Sequence, residues 1–399
     1  MKKSFPPAER YLLVPLYGSY LKMRYGLKTE DFDKVLPFDG PAIVFANHVH
    51  VQDPFMVSAC YPYHIRWVAG SYLFRMPLVG TLLHKWVGAI PKTQGRSDLE
   101  TIRSISKALK NGDIVGLFPE GTRSWDGDMM DIVGGTAKLI RLFKVPVVFL
   151  HNQGGFARKP RWAEKDTKGK ISLKVAKVLT PEEIASMKLP EIVDVVDKYL
   201  SYSHSSYMET HPDAVLKSNH LAEGIERLLY RCPCCGRTGV IESHGTEISC
   251  SCGAKGHLNG DYSITSSDFP FTQLPEWRKW EIGKLFTPDE GDRLFPVDRG
   301  IMFSVTRDGK EARLSRNFDF TAYPDRFSFD FKDGDVEGEK NKDFFFDHVE
   351  SVIITAKQTI EFFYDGVQYR VRPYGRISSL KYYDLYNEWL RRKDELGEV

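Results

Sequence analysis

Two uninterrupted apolar runs, residues 41–46 and residues 114–118, dominate the pattern of the first part of the chain. Runs of this length are typical of strands that are buried on both faces of a parallel sheet. Between them, apolar side chains recur at helical spacing over residues 99–109, after a capping-box pattern at Ser97-Asp98-Leu99-Glu100. This strand–helix–strand order predicts an α/β domain with a mixed, largely parallel sheet flanked by helices.

A histidine and a carboxylate follow the first apolar run at a short, fixed separation. The run ends at Asn47, His48 comes next, and Asp53-Pro54 follows five positions later. Asp53 is expected at the N-cap of a helix, with Pro54 at the first helical position. A strand-to-helix turn of this length lets the carboxylate fold back onto one imidazole nitrogen and leave the other nitrogen facing a cleft.

The second run ends in a turn, residues 118–124, that carries both a carboxylate and a guanidinium. Turns at the carboxyl ends of parallel strands meet at the ligand crevice of an open α/β sheet, so the two turns are expected to lie together. Each feature also fits an ordinary role: Asp53 as a helix cap, His48 as a turn histidine bonded to backbone, and Arg123 in solvent. Their occurrence in order, each after a buried strand, favours a shared site.

The pattern His48-(four residues)-Asp53, followed by Phe-Pro-Glu-Gly-Thr-Arg-Ser at residues 118–124, resembles the glycerolipid (lysophospholipid) acyltransferase family. The type member of that family is 1-acylglycerol-3-phosphate acyltransferase, and the resemblance covers roughly residues 1–205. It implies that His48 is the general base, Asp53 the acid that orients it, and Arg123 a clamp for the acceptor phosphate. Backbone amides near Gly121 or at the first helix are expected to hold the oxyanion. The residues expected to bind substrate are Asn47, Lys92, Arg96, Phe118, Pro119, Glu120, Gly121, Thr122 and Arg123.

The resemblance implies an O-acyltransferase of phospholipid biosynthesis that uses acyl carrier protein or coenzyme A thioesters. Lysophosphatidic acid is the expected acceptor, with glycerol-3-phosphate, another lysolipid or an amino-lipid as alternatives. The sequence departs from the family pattern at one position that bears on the acceptor head group. The family places a basic residue six positions after Gly88, but this residue is Gln94 here, with Lys92 and Arg96 on either side.

Five cysteines lie within a short stretch and predict a zinc ribbon. Cys232 and Cys235 form one knuckle, and Cys250 and Cys252 form a tighter second one. Cys234 and His257 are alternatives for the fourth ligand. Since no export signal is recognised at the amino end, structural Zn²⁺ is favoured over disulfides.

Three domains are expected from the length and the changes in character along the chain. They are residues 1–205, the acyltransferase-like part; residues 206–261, a helical linker and the zinc ribbon; and residues 262–399. The last is expected to be a mainly antiparallel β domain closed by a helix, similar in pattern to pleckstrin-homology-like domains. Its clearest signal is a hairpin with an Asp365-Gly366 turn, and a further turn is expected at Asp308-Gly309. Residues 158–170 are expected to form a polar surface loop, and residues 219–230 a helix.

No run of 18 apolar residues appears, so no transmembrane helix is predicted. Basic residues frame apolar ones at residues 11–21 and again at residues 67–86, a pattern typical of interfacial segments, although both could be buried helices. The expected location is peripheral, on the cytoplasmic face of the cell membrane. An alternative, a zinc-ribbon protein that binds nucleic acid without catalysis, is disfavoured because the ribbon contains Glu242, Glu247 and Asp261.

Overall fold

The computed structural model describes residues 9–76, 78–92, 99–132, 134–288, 292–306, 310–334, 336 and 338–395. The described chain divides into two compact units, one of residues 9–161 and 166–217 and one of residues 162–165 and 218–395. The finer division into three domains stays a prediction.

The first unit is built on a seven-stranded mixed sheet in the order β1-β7-β6-β2-β5-β3-β4. The neighbours β6-β2-β5-β3-β4 are all parallel, whereas β7 runs antiparallel to β6. The strands are β1 (Lys28–Glu30), β2 (Ala42–Ala46), β3 (Ile65–Gly70), β4 (Ile90–Lys92), β5 (Ile114–Leu117), β6 (Val147–Gln153) and β7 (Ser172–Leu179). The predicted largely parallel α/β sheet is confirmed.

Helices cover both faces of this sheet. They are α1 (Ser19–Tyr25), which follows a π-helix at Glu9–Gly18, α2 (Asp53–Cys60), α3 (Ser71–Phe74), α4 (Val79–Thr81), α5 (Leu99–Lys110), α6 (Thr136–Phe143), α7 (Gly155–Arg158), α8 (Pro181–Ser186), α9 (Leu189–Leu200) and α10 (His204–Thr210). Along β2, Val44 belongs to a core with side chains of α1 and α2, while Phe45 belongs to a core with side chains of α5, α6 and α9. Burial of both faces explains the uninterrupted apolar run that β2 shows in the sequence.

The second unit contains a small antiparallel sheet and a larger aromatic core. The small sheet comprises β8 (Ile241–His244), β9 (Glu247–Cys250), β10 (Lys255–Leu258) and β11 (Ile264–Thr265), and α11 (Leu274–Gly283) follows it. Five- and three-stranded antiparallel sheets then enclose a core rich in phenylalanine, against which the last helix packs Tyr382, Leu385 and Tyr386. Their elements are β12 (Gly300–Val305), β13 (Glu311–Ser315), β14 (Phe318–Tyr323), β15 (Arg326–Phe331), β16 (Asn341–Phe345), β17 (Val349–Thr355), β18 (Thr359–Tyr364), β19 (Val367–Pro373) and α12 (Leu380–Glu395). The predicted antiparallel region closed by a helix is confirmed.

Three local predictions are wrong. Residues 219–230 form turns and a short 3₁₀-helix at Ile225–Arg227 rather than a helix. Gly224 has φ +98°, and a side chain there would meet the carbonyl oxygen of Trp162 at 2.5 Å, so the chain turns sharply at this point. Asp53 is the first residue of α2 rather than its N-cap, which is Gln52.

The third error concerns the first part of the segment at residues 158–170, which is largely buried, whereas Lys165, Lys168 and Lys170 are exposed as predicted. Arg158 is buried beneath the ring of Tyr25, with its guanidinium 4.9 Å from the ring centroid, and Arg161 is buried beside Trp125. Aromatic faces accommodate guanidinium groups, so a basic stretch does not have to face solvent. The predicted capping residues Ser97 and Asp98, the candidate ligand Arg96 and the Asp308-Gly309 turn lie outside the described residues.

Candidate functional site

Three polar segments meet at one edge of the sheet because β2 lies between β5 and β6 and runs parallel to both. Asn47 and His48 follow β2, the turn at residues 118–124 follows β5, and Asn152 lies near the end of β6. The carboxyl ends of three adjacent strands therefore converge, as the sequence indicated for the first two.

His48 is held by Asp53 through a single ring nitrogen. Its Nδ1 lies 2.8 Å from Oδ2 of Asp53. The same carboxylate oxygen accepts hydrogen bonds from the backbone amides of Val49 and His50, each at 2.8 Å. Asp53 is completely buried, and these donors satisfy the hydrogen-bonding capacity of its carboxylate. The contact favours the tautomer with the proton on Nδ1, which leaves Nε2 as the basic nitrogen.

The other ring nitrogen of His48 is left available, and the side chain is partly exposed. Within the described part of the chain, Nε2 makes no hydrogen bond, and 20% of the side chain is exposed. A base with one oriented nitrogen and one accessible nitrogen can take a proton from a bound hydroxyl.

Asn152 supports the carboxylate from the other side, and the sequence analysis missed it. Its Nδ2 donates to Oδ1 of Asp53 at 2.6 Å. Its backbone amide donates to the side chain of Asn47 at 2.6 Å, and Asn47 donates back to its carbonyl at 3.1 Å. Asn47, expected to bind substrate, thus links the ends of β2 and β6. The rule that singled out Asn47, a polar residue at the carboxyl end of a buried strand, also applies to Asn152.

Gly155 makes room for this amide. A Cβ on Gly155 would lie 2.4 Å from Oδ1 of Asn152, closer than real atoms approach. Gly155, the first residue of α7, therefore packs directly against Asn152, the residue that donates to the Asp53 carboxylate.

The turn after β5 forms hydrogen bonds with both the amide and the carbonyl group of His48. Glu120 accepts from the amide of His48 with Oε1 and from the amide of Met130 with Oε2, at 2.5 and 2.9 Å. The amide of Ser124 donates to the carbonyl of His48 at 2.8 Å. Burial raises the pKa of Glu120 to about 8, although both amides favour its ionised form. Acceptor positioning by Glu120 stays a prediction; the visible contacts of its carboxylate are to backbone.

An aromatic stack fixes the plane of the imidazole. Phe118 lies between His48 and Trp67, with ring centroids 4.2 Å from His48 and 4.7 Å from Trp67 and with interplanar angles of 22° and 11°. The indole of Trp67 is itself anchored by donating to Ser58. Phe118 was expected to bind substrate, and the structure places it against the base.

The surroundings of His48 favour the neutral form of the ring. Burial lowers the pKa of His48, Asp53 opposes this effect, and the positive charges of Arg123 and Arg161 lower the pKa further. A neutral imidazole is the form that acts as a base.

The residues predicted to bind substrate or the oxyanion do not all lie together. Arg123 makes no ion pair or hydrogen bond with another described residue, and its charge acts on Asp53 and Tyr72. The amide of Gly121, one of the expected oxyanion donors, donates to the carbonyl of Phe118 at 3.0 Å. Pro119 is buried within the turn, and Thr122 accepts from Arg161. Lys92 ends β4, which is separated from β2 by β5 and β3.

Four cysteines in the second unit converge as the sequence indicated. The sulfur atoms of Cys232, Cys235, Cys250 and Cys252 all lie within 4.8 Å of one another. Cys232 and Cys252 are 3.9 Å apart, and Cys235 and Cys250 are 3.8 Å apart. Four sulfurs at the Zn–S distance of about 2.3 Å in a tetrahedron would be separated by about 3.8 Å. The donor set and its spacing therefore fit a tetrahedral metal ion.

The two alternative ligands lie outside this group. The thiol of Cys234 donates to the carbonyl of Asp268, and His257 lies on β10, where it pairs with Glu247 and Thr265. None of the described cysteines forms a disulfide.

Apolar side chains are exposed along the amino-terminal helices. Leu12, Leu16, Tyr20 and Met23 follow one another at helical spacing, and Leu16 and Met23 are 66% and 80% exposed. A second exposed set, Met76, Leu78 and Trp86, lies in the other segment with an interfacial pattern. None of the described helices is long and apolar enough to cross a bilayer.

The chain is similar to known acyltransferases. Residues 28–150 match the family model described as Acyltransferase. The chain is 28% identical over 172 residues to a 1-acyl-sn-glycerol-3-phosphate acyltransferase of Bacillus subtilis, a match that covers 43% of this chain and 82% of the relative. It is 27% identical over 105 residues to a chloroplastic 1-acyl-sn-glycerol-3-phosphate acyltransferase of Arabidopsis thaliana, covering 26% of this chain and 29% of that relative. The crystal structure of a 1-acyl-sn-glycerophosphate acyltransferase from Thermotoga maritima matches with a TM-score of 0.42 at 22% identity, covering 51% of this chain and 81% of that one.

Proposed function

We propose that this chain is a membrane-surface O-acyltransferase that transfers a fatty acyl group from an acyl thioester to the hydroxyl of lysophosphatidic acid and so forms phosphatidic acid. The observation that carries the proposal is the His48–Asp53 pair, in which Asp53 holds Nδ1 while Nε2 makes no hydrogen bond with a described residue. The names of the relatives support the choice of acceptor.

The reaction proceeds by direct attack of the acceptor hydroxyl. An alcohol is a weak nucleophile at neutral pH, so Nε2 of His48 takes its proton as the oxygen bonds to the thioester carbonyl. Asp53 stabilises the imidazolium that forms. When the tetrahedral intermediate collapses, the C–S bond breaks and the imidazolium returns the proton to the departing thiolate. The acceptor hydroxyl takes the place of a serine nucleophile, so no covalent acyl-enzyme is needed.

Arg123 binds the acceptor phosphate in this scheme. Its guanidinium lies on the same turn that grips the backbone of His48, and the planar fork of arginine matches phosphate oxygens. Acyl carrier protein or coenzyme A supplies the thioester.

The exposed apolar stripe on the amino-terminal helices contacts the membrane in this proposal. Leu12, Leu16, Tyr20 and Met23 would enter the headgroup region, with Lys22 exposed beside them to meet anionic lipids. A peripheral position on the cytoplasmic face of the cell membrane brings the lysolipid hydroxyl to the site.

The four-cysteine group holds structural Zn²⁺ in this proposal. Cys232, Cys235, Cys250 and Cys252 would fill all four positions of a tetrahedral site and leave none open for substrate. Its contribution is to fold the surrounding sheet, and acyl transfer does not involve it.

The proposal is tested by mass spectrometry of reaction products. Purified protein is incubated with vesicles containing lysophosphatidic acid, other lysolipids, an amino-lipid or glycerol-3-phosphate, each with acyl-ACP and with acyl-CoA. We expect phosphatidic acid from lysophosphatidic acid with at least one donor. Folded protein that acylates only acceptors without a phosphate, or none, contradicts the proposal.

A further inference from the structure

The amino-terminal helices have an inward side as well as the exposed apolar stripe. Leu16 and Met23 on the stripe are 66% and 80% exposed, whereas Tyr25, the last residue of α1, is 6% exposed. A Cβ on Gly18 would lie 3.1 Å from Cβ of Ala59, so this segment lies in close contact with α2. One side of the segment therefore faces outward, and the other packs on the helix that follows the candidate base.

Tyr17 is bonded to the residue that precedes Asp53. Its hydroxyl donates to Oε1 of Gln52 at 2.7 Å, and its ring packs edge-to-face on Phe55 at 5.8 Å between centroids. Gln52 is the N-cap of α2, but its side chain makes no capping hydrogen bond with the described backbone. The carboxamide of Gln52 instead joins the start of α2 to the amino-terminal segment.

Tyr25 packs on a second residue of the same turn. Its ring meets the buried ring of His50 edge-to-face, with centroids 5.1 Å apart. Nδ1 of His50 accepts from the amide of Gln52 at 3.1 Å. The amide of His50 donates to Oδ2 of Asp53, the same oxygen that contacts Nδ1 of His48. A continuous series of contacts therefore joins both tyrosines to the candidate base.

The position of these contacts matters because a small displacement of a catalytic group is costly. A misplacement of about 1 Å can lower a rate about 100-fold. The turn at residues 48–53 is supported by Asn152 and Glu120 from within the sheet domain. Tyr17 and Tyr25 support it from the amino-terminal side, and their own positions depend on the helices that carry the stripe.

We propose that Tyr17 and Tyr25 are positioning residues for His48, so that the amino-terminal segment supports the base in addition to contacting the membrane. This inference rests on the proposed function and assigns a second role to the same segment. The two roles predict different kinetics. Loss of membrane contact weakens vesicle binding and raises the apparent KM for a lipid acceptor, whereas loss of positioning lowers kcat and leaves vesicle binding unchanged.

Tyr17→Phe tests the first contact, because it keeps the ring on Phe55 and removes only the hydroxyl. We expect kcat to fall about 2- to 10-fold, as for loss of one hydrogen bond between neutral groups, with KM and vesicle cosedimentation unchanged. Gln52→Leu removes the acceptor of the same bond and should lower kcat to a similar extent, and the double variant should lower it no further. Tyr63→Phe is the matched control, since the hydroxyl of Tyr63 donates to the carbonyl of Leu36 instead.

Tyr25 is tested by a pair of variants. Tyr25→Phe keeps the ring that packs on His50 and should match wild type, whereas Tyr25→Leu should lower kcat. Rates are compared well below the melting temperature of each variant, and the Tyr17→Phe series decides the matter if Tyr25→Leu does not fold. An unchanged kcat in Tyr17→Phe, or weaker vesicle binding that accounts for its lower rate, would overturn the inference.

Nuclear magnetic resonance of ¹⁵N-histidine-labelled protein separates this inference from the proposed function. The ring nitrogen signals of His48, assigned by their absence from His48→Ala, should shift in Tyr17→Phe and stay in place in Tyr63→Phe. If wild-type protein transfers no acyl group, the proposed function fails, yet these spectra still show whether Tyr17 positions the ring. Unchanged His48 signals in Tyr17→Phe would overturn the inference even if its rate fell.

Discussion

His48 combines two properties that a general base needs, a fixed tautomer and a ring whose neutral form is favoured. Asp53 fixes the tautomer by its contact with Nδ1 of His48. The second comes from burial beneath Phe118, together with the fields of Arg123 and Arg161. Because these residues act on the same ring, individual substitutions are expected to change the pH dependence of the reaction as well as its rate.

In a plot of log kcat/KM against pH, the decline on the acid side (the acid limb) should lie below the ordinary histidine pKa of about 6.5. The pKa of His48 is lowered in the folded protein, and the proposed mechanism uses the neutral form. The value of kcat/KM is therefore expected to hold as pH falls through 6.5 and to decline only at lower pH.

Phe118→Ala should move this limb to higher pH. Loss of the stacked ring admits water to His48, which weakens the burial that lowers its pKa. The measurement is log kcat/KM against pH for both proteins, with lysophosphatidic acid as acceptor. A limb for Phe118→Ala that coincides with that of wild type would show that the stack does not tune the base.

Asn152→Ala should lower kcat by about 10- to 100-fold with little change in KM, because a hydrogen bond to a charged group is worth about 1.5–3 kcal/mol. The variant removes the donor to Oδ1 of Asp53 but keeps the backbone amide that bonds Asn47. Asn111→Ala, at an exposed position after α5, is the control. An unchanged kcat in Asn152→Ala would show that the carboxylate does not need this support.

The elements show which parts of the structure could be predicted from sequence. The strands β2 and β5 were predictable because burial on both faces leaves an uninterrupted apolar run, and the β18–β19 hairpin because Asp365 and Gly366 adopt positive φ. The buried position of Arg161 was not predictable from local pattern. Basic residues ordinarily indicate solvent, and its partners Thr122 and Trp125 are about 40 residues distant in the chain.

In the candidate site, too, local features could be predicted from the sequence and long-range contacts could not. His48, Asp53 and the turn at residues 118–124 were recognisable because their spacing is local. The contact between Asn152 and Asp53 spans 99 positions and depends on β6 lying beside β2. Strand order in a sheet is set by the packing of the whole unit, so this contact required the structure.

The amino-terminal helices should bind anionic vesicles through their exposed apolar stripe. Leu16→Ser and Met23→Ser, made together, are expected to reduce cosedimentation with vesicles containing anionic lipid, because each removes apolar area from the membrane contact. Leu142→Ser is the matched control, since Leu142 is 62% exposed on α6. Equal binding by wild type and the double variant would exclude the stripe as the membrane contact.

At the scale of the whole molecule, the chain joins a region that matches the acyltransferase family model to a unit with a four-cysteine group and an aromatic core. The four cysteines are expected to bind one zinc ion per chain, measured by elemental analysis of purified protein. Cys235→Ser should lose this metal and lower the melting temperature, because structural zinc sites contribute directly to folding.

Cys234→Ser offers an unusually close control for this experiment, one residue away in the chain. The Cys234 thiol donates to the carbonyl of Asp268 and lies outside the sulfur group. This variant is expected to retain the metal. Loss of zinc from Cys234→Ser, or retention of a full equivalent by Cys235→Ser, would reassign the ligands.

The measurement that tests the central claim most directly is the rate of phosphatidic acid formation by His48→Ala, with the product identified by mass spectrometry. The variant should keep the wild-type circular dichroism spectrum and zinc content, and its rate should fall by about 10²- to 10⁴-fold, the usual contribution of a general base. A folded His48→Ala protein that forms phosphatidic acid at a rate close to wild type would contradict the assignment of His48 as the base.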